Sequence, residues 1–151
     1  INVDLKAAHT HDARELARSA VALLRRLRAT DFVRLTSFAS TTVHYLQREL
    51  HWEGPTGMGQ DEVLQLLLAA RGLRSFAQCE GRAAQIPAGF GPLRLVTRDL
   101  VQFCHAHGLR VDVWTVNEPQ DCERLLALGV DGIITNRPSA VLRRLGRDPN
   151  S

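Results

Sequence analysis

Asp4 and Lys6 stand two positions apart in Ile1-Asn2-Val3-Asp4-Leu5-Lys6, a run that alternates apolar and polar residues as a strand with two distinct faces does. Side chains at i and i+2 of a strand share a face. A carboxylate and an ammonium on the inner face of a sheet must pair, bind a metal or hold an anionic ligand, because burying either alone is too costly. Spacing leaves a structural ion pair and a functional site equally open. An aspartate suits a hard cation with oxygen ligands, and a lysine suits a phosphate. Other polar and aromatic residues fall at the ends of later strands: Thr36, Ser37 and Phe38, then Gln85, then Trp114, Thr115 and Asn117, then Thr135 and Asn136. Trp114 by itself reads more readily as a packing residue. Asn117 reads as a helix N-cap.

Other chemistries are poorly represented. His9/His11 and His105/His107 form two His-x-His pairs, the first in a loop and the second on a helix, where i and i+2 do not share a face. Neither has the spacing or the cysteine partners of a zinc site. No phosphate-binding loop, dinucleotide glycine pattern or Gly-x-Ser-x-Gly elbow is present.

The elements that would position these residues alternate between strand and helix. After the first strand and a loop at 8–11, Asp12 and Glu15 have capping-box spacing, and Leu16, Ala20, Leu23, Leu24 and Leu27 recur at helical period. A strand over 31–38 and a helix over 40–50 follow. Gly54, Pro55, Gly57 and Gly59 mark 51–60 as a loop. A helix over 61–70 presents Val63, Leu64, Leu67 and Leu68, and 83–86 reads as a short strand before a loop over 88–95. Thr97 caps a helix that stops at Gly108; a strand at 109–116 leads to a helix with Asn117 and Gln120 in capping-box spacing and Gly129 as its stop. A strand at 130–135 and a helix from Pro138 to Gly146 complete the chain. Gly129-Val130-Asp131-Gly132 needs no more than a structural role. Successive β-α-β units demand parallel strands, which predicts an α/β fold, either doubly wound or a (β/α)8 barrel. A whole barrel takes roughly 250 residues, so the 151 here correspond to part of one, about five of its units. Because the sequence opens on Ile1 inside a strand, the expectation is that earlier strands are absent from it and that exposed strand edges favour self-association.

Composition excludes several classes. Hydrophobic residues make up 44% and charged residues 23%, ordinary for a globular domain. No run approaches the ~20 apolar residues of a membrane span. The net charge of +3 comes from scattered arginines, Lys6 being the one lysine, and aromatics are 5%. That pattern lacks the clustered, aromatic-interleaved surface a nucleic-acid site needs. Cys79, Cys104 and Cys122 are widely spaced without a Cys-x-x-Cys pair, with Cys104 and Cys122 at apolar helical positions. They fit buried thiols in a reducing compartment such as the cytoplasm.

Val111-Asp112-Val113-Trp114-Thr115-Val116-Asn117, followed by 125–138 with Gly129-Val130-Asp131-Gly132-Ile133-Ile134-Thr135, resembles the C-terminal signature of glycerophosphodiester phosphodiesterases. Upstream, 1–6 resembles that family's acidic-x-Lys strand and Leu35-Thr36-Ser37-Phe38 its Ser-Phe strand end. Gln85-Ile86-Pro87 and 103–108 also fall in order. The resemblance implies the later part of a (β/α)8 barrel that hydrolyses a glycerophosphodiester to glycerol 3-phosphate and an alcohol, with one divalent ion, Mg²⁺ or Ca²⁺, and two histidines as general base and acid. It implies that Asp4 is a metal ligand, commonly a glutamate in the family, that Lys6 faces the phosphate, and that Phe38, Trp114 and Gln85 line the substrate pocket. Asn136 stands where aspartate is more frequent.

The family's His-Arg-Gly, Glu-x-Asp and His-Asp motifs belong to strands before the acidic-x-Lys strand. His9 and His11 follow that strand and do not stand in for them. The expectation is that the catalytic histidines lie outside this chain, which either is the later part of a phosphodiesterase or acts as a binding or assembly module.

Overall fold

The computed structural model describes residues 1–7, 9–76, 81–90 and 93–147. Ala8, Cys79 and the Gly91-Pro92 part of the expected 88–95 loop lie outside the described residues. Strands β1 (Asn2–Asp4), β2 (Arg34–Thr36), β3 (Ala83–Pro87), β4 (Gly89–Phe90), β5 (Leu93–Arg94), β6 (Arg110–Trp114) and β7 (Gly132–Ile133) are interleaved with helices α1 (Thr10–Arg26), α2 (Ser40–His44), α3 (Gln60–Ala69), α4 (Arg98–Ala106), α5 (Pro119–Leu128) and α6 (Pro138–Arg144). The fold is α/β, with β1 parallel to β2 and with β3, β6 and β7 parallel in the order β3-β6-β7.

The segment read as loop at 51–60 joins the two sheets. Thr56 bridges Leu35 and Gly57 bridges Ala83, both in parallel register. Leu35 N donates to Pro55 O at 3.1 Å, Gly57 N to Leu35 O at 3.0 Å, and Met58 N to Ala83 O at 2.9 Å. A side chain at Gly57 would run into that of Thr36, so the glycine taken as a loop marker makes room for a side chain of the neighbouring strand. The ladder therefore runs β1-β2-(56–57)-β3-β6-β7.

That ladder is strongly bent. Gln85 on β3 hydrogen-bonds Asn2 on β1 at 2.9 Å, and Arg34 on β2 meets Asp112 on β6 at 3.0 Å. Each pair is separated by three strand-to-strand steps, about 14 Å in a flat sheet. Side-chain contact over that span requires a concave face. Alternation sorts the two faces: Val3, Leu35, Ile86, Val111 and Val113 face the helices, whereas Asn2, Asp4, Arg34, Gln85, Asp112 and Trp114 fall on the concave side.

The apolar core lies between strands and helices in two clusters. Leu5, Ala17, Val21, Val33, Leu35, Leu46 and Trp52 tie α1 and the turn that follows α2 to β1–β2. Leu66, Ile86, Val101, Cys104, Val111, Val113, Cys122 and Leu125 tie α3, α4 and α5 to β3–β6. Both helical cysteines are buried, and burial pushes the Cys122 thiol up. Thr97 Oγ1 accepts from Leu100 N at 3.3 Å, the expected cap. Gly108 and Gly129, at φ +69° and +93°, are the expected left-handed stops.

Several boundaries differ from the sequence reading. α1 opens at Thr10 after His9, without the Asp12–Glu15 capping box. The start of the expected second strand is a 3₁₀ turn, Thr30–Phe32. α2 passes into a π-helical turn, Tyr45–Glu49. α3 is rotated from the expected stripe: Leu66 and Ala69 are buried and Leu64 is 56% exposed. Its apolar residues occupy more than one face, so periodicity alone could not choose. Gly89–Phe90 and Leu93–Arg94, expected as loop, pair as two short antiparallel strands. Among the described residues no helix is long and apolar enough to cross a membrane.

Candidate functional site

The ends of the parallel strands surround a cavity of about 590 Å³ on the concave side. Asp4, Lys6, Phe38, Gln85 and Trp114, the residues singled out from sequence, all line it. Each is placed by its strand. Leu5 N donates to Thr36 O at 2.7 Å and Ser37 Oγ to Leu5 O at 3.0 Å, so the end of β1 is fastened to that of β2 immediately beside Lys6 and Phe38. Ala88 N donates to Trp114 O at 3.0 Å and Val116 N to Ile134 O at 2.9 Å, aligning the ends of β3, β6 and β7.

Asn117 departs from its expected capping role. α5 begins at Pro119 after Glu118, with no side-chain cap. Asn117 Oδ1 instead accepts from Thr135 Oγ1 at 3.3 Å and from Asn136 N at 3.0 Å. This amide ties the segment after Trp114 to the segment after Ile134, holding two cavity walls together.

Lys6 Nζ lies 3.3 Å from the Asp4 carboxylate, as two like-facing side chains on one strand allow. The pair is not enclosed: Lys6 is 84% exposed and Asp4 39%. The expectation that burial forces them together is therefore corrected. Water still solvates both, and such a pair contributes little to stability. What the arrangement provides is a solvated ammonium and a carboxylate on a cavity otherwise lined largely by apolar side chains, Phe38, Met58, Val63, Trp114 and Ile134 among them. That division suits a ligand with an anionic group at one end and carbon at the other.

Among the described residues Asp4 is the single carboxylate on the cavity. The described residues contain no group of three or more histidine, cysteine, aspartate or glutamate side chains able to hold a metal ion. A hard cation takes six or more oxygen ligands, so Asp4 fits as one ligand and the described residues do not form a whole metal site. Among the described residues no histidine lines the cavity. His9 precedes α1 and His11 lies 3.8 Å from Asp12. His105 pairs with Asp131 at 2.9 Å, and His107 stacks on Phe103 with ring centroids 4.3 Å apart.

Sequence reasoning missed Asn2, Met58, Gln60, Val63 and Ile134 on the cavity. Asn2 was legible, since strand alternation places it on the face of Asp4. Met58 and Gln60 were hidden because 51–60 carries the glycines and proline of a loop while contributing a strand position, and Val63 was read only as part of a helix stripe.

Comparison with known proteins bears on this site. The model of the glycerophosphoryl diester phosphodiesterase family matches residues 2–140. A Mycobacterium tuberculosis protein named "Probable glycerophosphodiester phosphodiesterase 2" is 31% identical over 141 residues, covering 91% of this chain and 51% of that protein. A solved Silicibacter pomeroyi structure described as a glycerophosphoryl diester phosphodiesterase superposes with a TM-score of 0.67 at 29% identity, covering 96% of this chain and 50% of that one. An Oleispira antarctica phosphodiesterase, solved with the product sn-glycerol-3-phosphate, has the same fold at a TM-score of 0.71 and 17% identity, over 96% of this chain and 54% of its own. The chain spans about half the length of the relatives it matches. By the family model across residues 2–140 and the order of its strand-end residues, the chain belongs to the glycerophosphoryl diester phosphodiesterase family.

Proposed function

We propose that residues 1–151 are the later part of a (β/α)8 phosphodiesterase barrel and form the glycerophosphate-binding side of its active site. The observation that carries this reading is the Asp4–Lys6 pair at 3.3 Å on a cavity also lined by Phe38 and Trp114. In the reaction of the whole protein, water oxygen bonds to phosphorus, the ester P–O bond breaks, and the departing alcohol takes up a proton, leaving glycerol 3-phosphate. Lys6 binds a phosphate oxygen by a charge-assisted hydrogen bond. Phe38 and Trp114 cover the glycerol carbons and exclude water from them. Gln85 contributes amide hydrogen bonds from β3. Asp4 would be one ligand to Mg²⁺ or Ca²⁺, which when bound neutralises charge on the phosphodiester oxygens. The general base and acid are the family's two histidines, from outside this chain.

That the described lining residues include no histidine supports a second reading for the chain on its own: a catalytically inactive binding or assembly module that associates through its strand edges. Calorimetric titration with sn-glycerol 3-phosphate, with and without Mg²⁺ or Ca²⁺, tests the site. Lys6→Ala should weaken binding about ten- to a hundredfold, the loss of one charged hydrogen bond, and Asp4→Ala should abolish any strengthening by the metal. Unchanged affinity in Lys6→Ala would remove the phosphate assignment.

A further inference from the structure

Asn2 lines the cavity but takes part in no step above, and Gln85 has been given amide hydrogen bonds without a ligand group to meet them. Gln85 Nε2 donates to Asn2 Oδ1 at 2.9 Å across the concave face. A side-chain amide carries two N–H donors and a carbonyl with two lone pairs. This single bond leaves both N–H groups of Asn2, one N–H of Gln85 and the Gln85 carbonyl oxygen available, and both residues line the cavity.

The pair is held by its neighbours. Asn2 stands in register with Arg34, and Gln85 with Asp112. Arg34 and Asp112 are themselves joined at 3.0 Å, with side chains 19% and 8% exposed. The amide bond and the ion pair therefore cross the concave face side by side. The largely buried ion pair fixes the spacing between the two halves of the sheet, and the more exposed amide pair is presented to the cavity at that spacing.

A hydroxyl group donates one hydrogen bond and accepts others. Adjacent donors on Asn2 and an acceptor on Gln85 match neighbouring hydroxyls, one donating to Gln85 Oε1 and the other accepting from Asn2 Nδ2. We infer that the Asn2–Gln85 amide pair reads the hydroxyl groups of a polyol phosphate bound in this cavity, with Asn2 fixing the direction in which Gln85 presents its carbonyl oxygen. The inference rests on the phosphate reading of the cavity and adds a basis for specificity to it. Lys6 and Asp4 recognise only charge. The apolar wall recognises only carbon. The amide pair distinguishes a hydroxylated ligand from a bare alkyl phosphate.

The test is calorimetric titration of the full chain with sn-glycerol 3-phosphate, n-propyl phosphate and inorganic phosphate. Wild type should prefer sn-glycerol 3-phosphate to n-propyl phosphate by about tenfold, below the discrimination of a fully enclosed polar site because the pair is solvent-accessible. Asn2→Ala and Gln85→Met should each remove that preference, the double variant should go no further than either single, and affinity for inorganic phosphate should change by less than about twofold. If Asn2→Ala fails to fold, Gln85→Met, which keeps side-chain length, decides the matter. A preference that survives in Gln85→Met, or a parallel loss for all three ligands, overturns the inference and leaves only a structural brace. Wild type that binds inorganic phosphate without preferring the glycerol ester overturns the inference alone. Wild type that binds none of the three overturns it together with the phosphate reading.

Discussion

Arg34 of β2 and Asp112 of β6 form an ion pair at 3.0 Å although two strand positions lie between them. Asp112 also receives Arg110 Nη2 at 3.2 Å. The backbone of Gly132 leaves the carboxylate its room, since a side chain there would collide with it. Paired charges thus span the inner face of the bent sheet, while apolar packing acts on its outer face.

Arg34→Ala should cost about 3 kcal/mol, because it strands a mostly buried carboxylate with one remaining partner. The denaturant midpoint should fall with little change in slope. Arg34 Nε is itself buried without a hydrogen bond, so the native pair is incompletely satisfied. The double variant Arg34→Met/Asp112→Leu should therefore recover much of the loss. A double variant weaker than Arg34→Ala would show that the ion pair, and not the filled volume, holds the bend.

Much of this was readable from residues. Asp4, Lys6, Phe38 and Trp114 could be placed at strand ends because period-2 alternation and short connections leave few alternatives, whereas Gln85, read as a strand end, lies in the middle of β3. The strand position at 56–57 could not, because a glycine that makes room for a neighbouring side chain reads in sequence like a turn glycine. Nor could the cross-sheet pairs, Asn2 with Gln85 and Arg34 with Asp112. They depend on the curvature of the sheet, a tertiary property with no local pattern. Asn117 shows a third kind of miss: the same side chain can cap a helix or tie two loops, and only tertiary placement decides.

Asp131 gives a prediction for pH. Partial burial raises its affinity for a proton, but the Val111 N–H at 2.8 Å and His105 at 2.9 Å outweigh that and hold the carboxyl below its usual range. A depressed folded-state pKa contributes stability above the unfolded value, near 4, and that contribution is lost as pH falls through the lower folded value. Asp131→Asn should lower stability at pH 7 by about 1–2 kcal/mol, the scale of a hydrogen bond to a charged group. The gap from wild type should narrow below about pH 4. Thermal melts across that range measure it; a gap independent of pH would mean that the charge of Asp131 contributes nothing.

The proposed association through strand edges has a specific geometry. Among the described residues β1 pairs with β2 alone and β7 with β6 alone. These edges are only three and two residues long and are weak templates by themselves. α1, which packs on β1 and β2, adds to them: Leu16, Leu23 and Leu27 recur at helical spacing and remain exposed, while Ala17 and Val21 on the adjoining stripe are buried. An apolar stripe beside an open edge offers one continuous surface to a second copy. Sedimentation of the chain should show concentration-dependent species heavier than 16.8 kDa. Leu23→Lys/Leu27→Glu should shift the distribution toward monomer without changing the helical circular dichroism signal. A monodisperse, cooperatively melting 16.8 kDa wild type at every concentration would end this proposal.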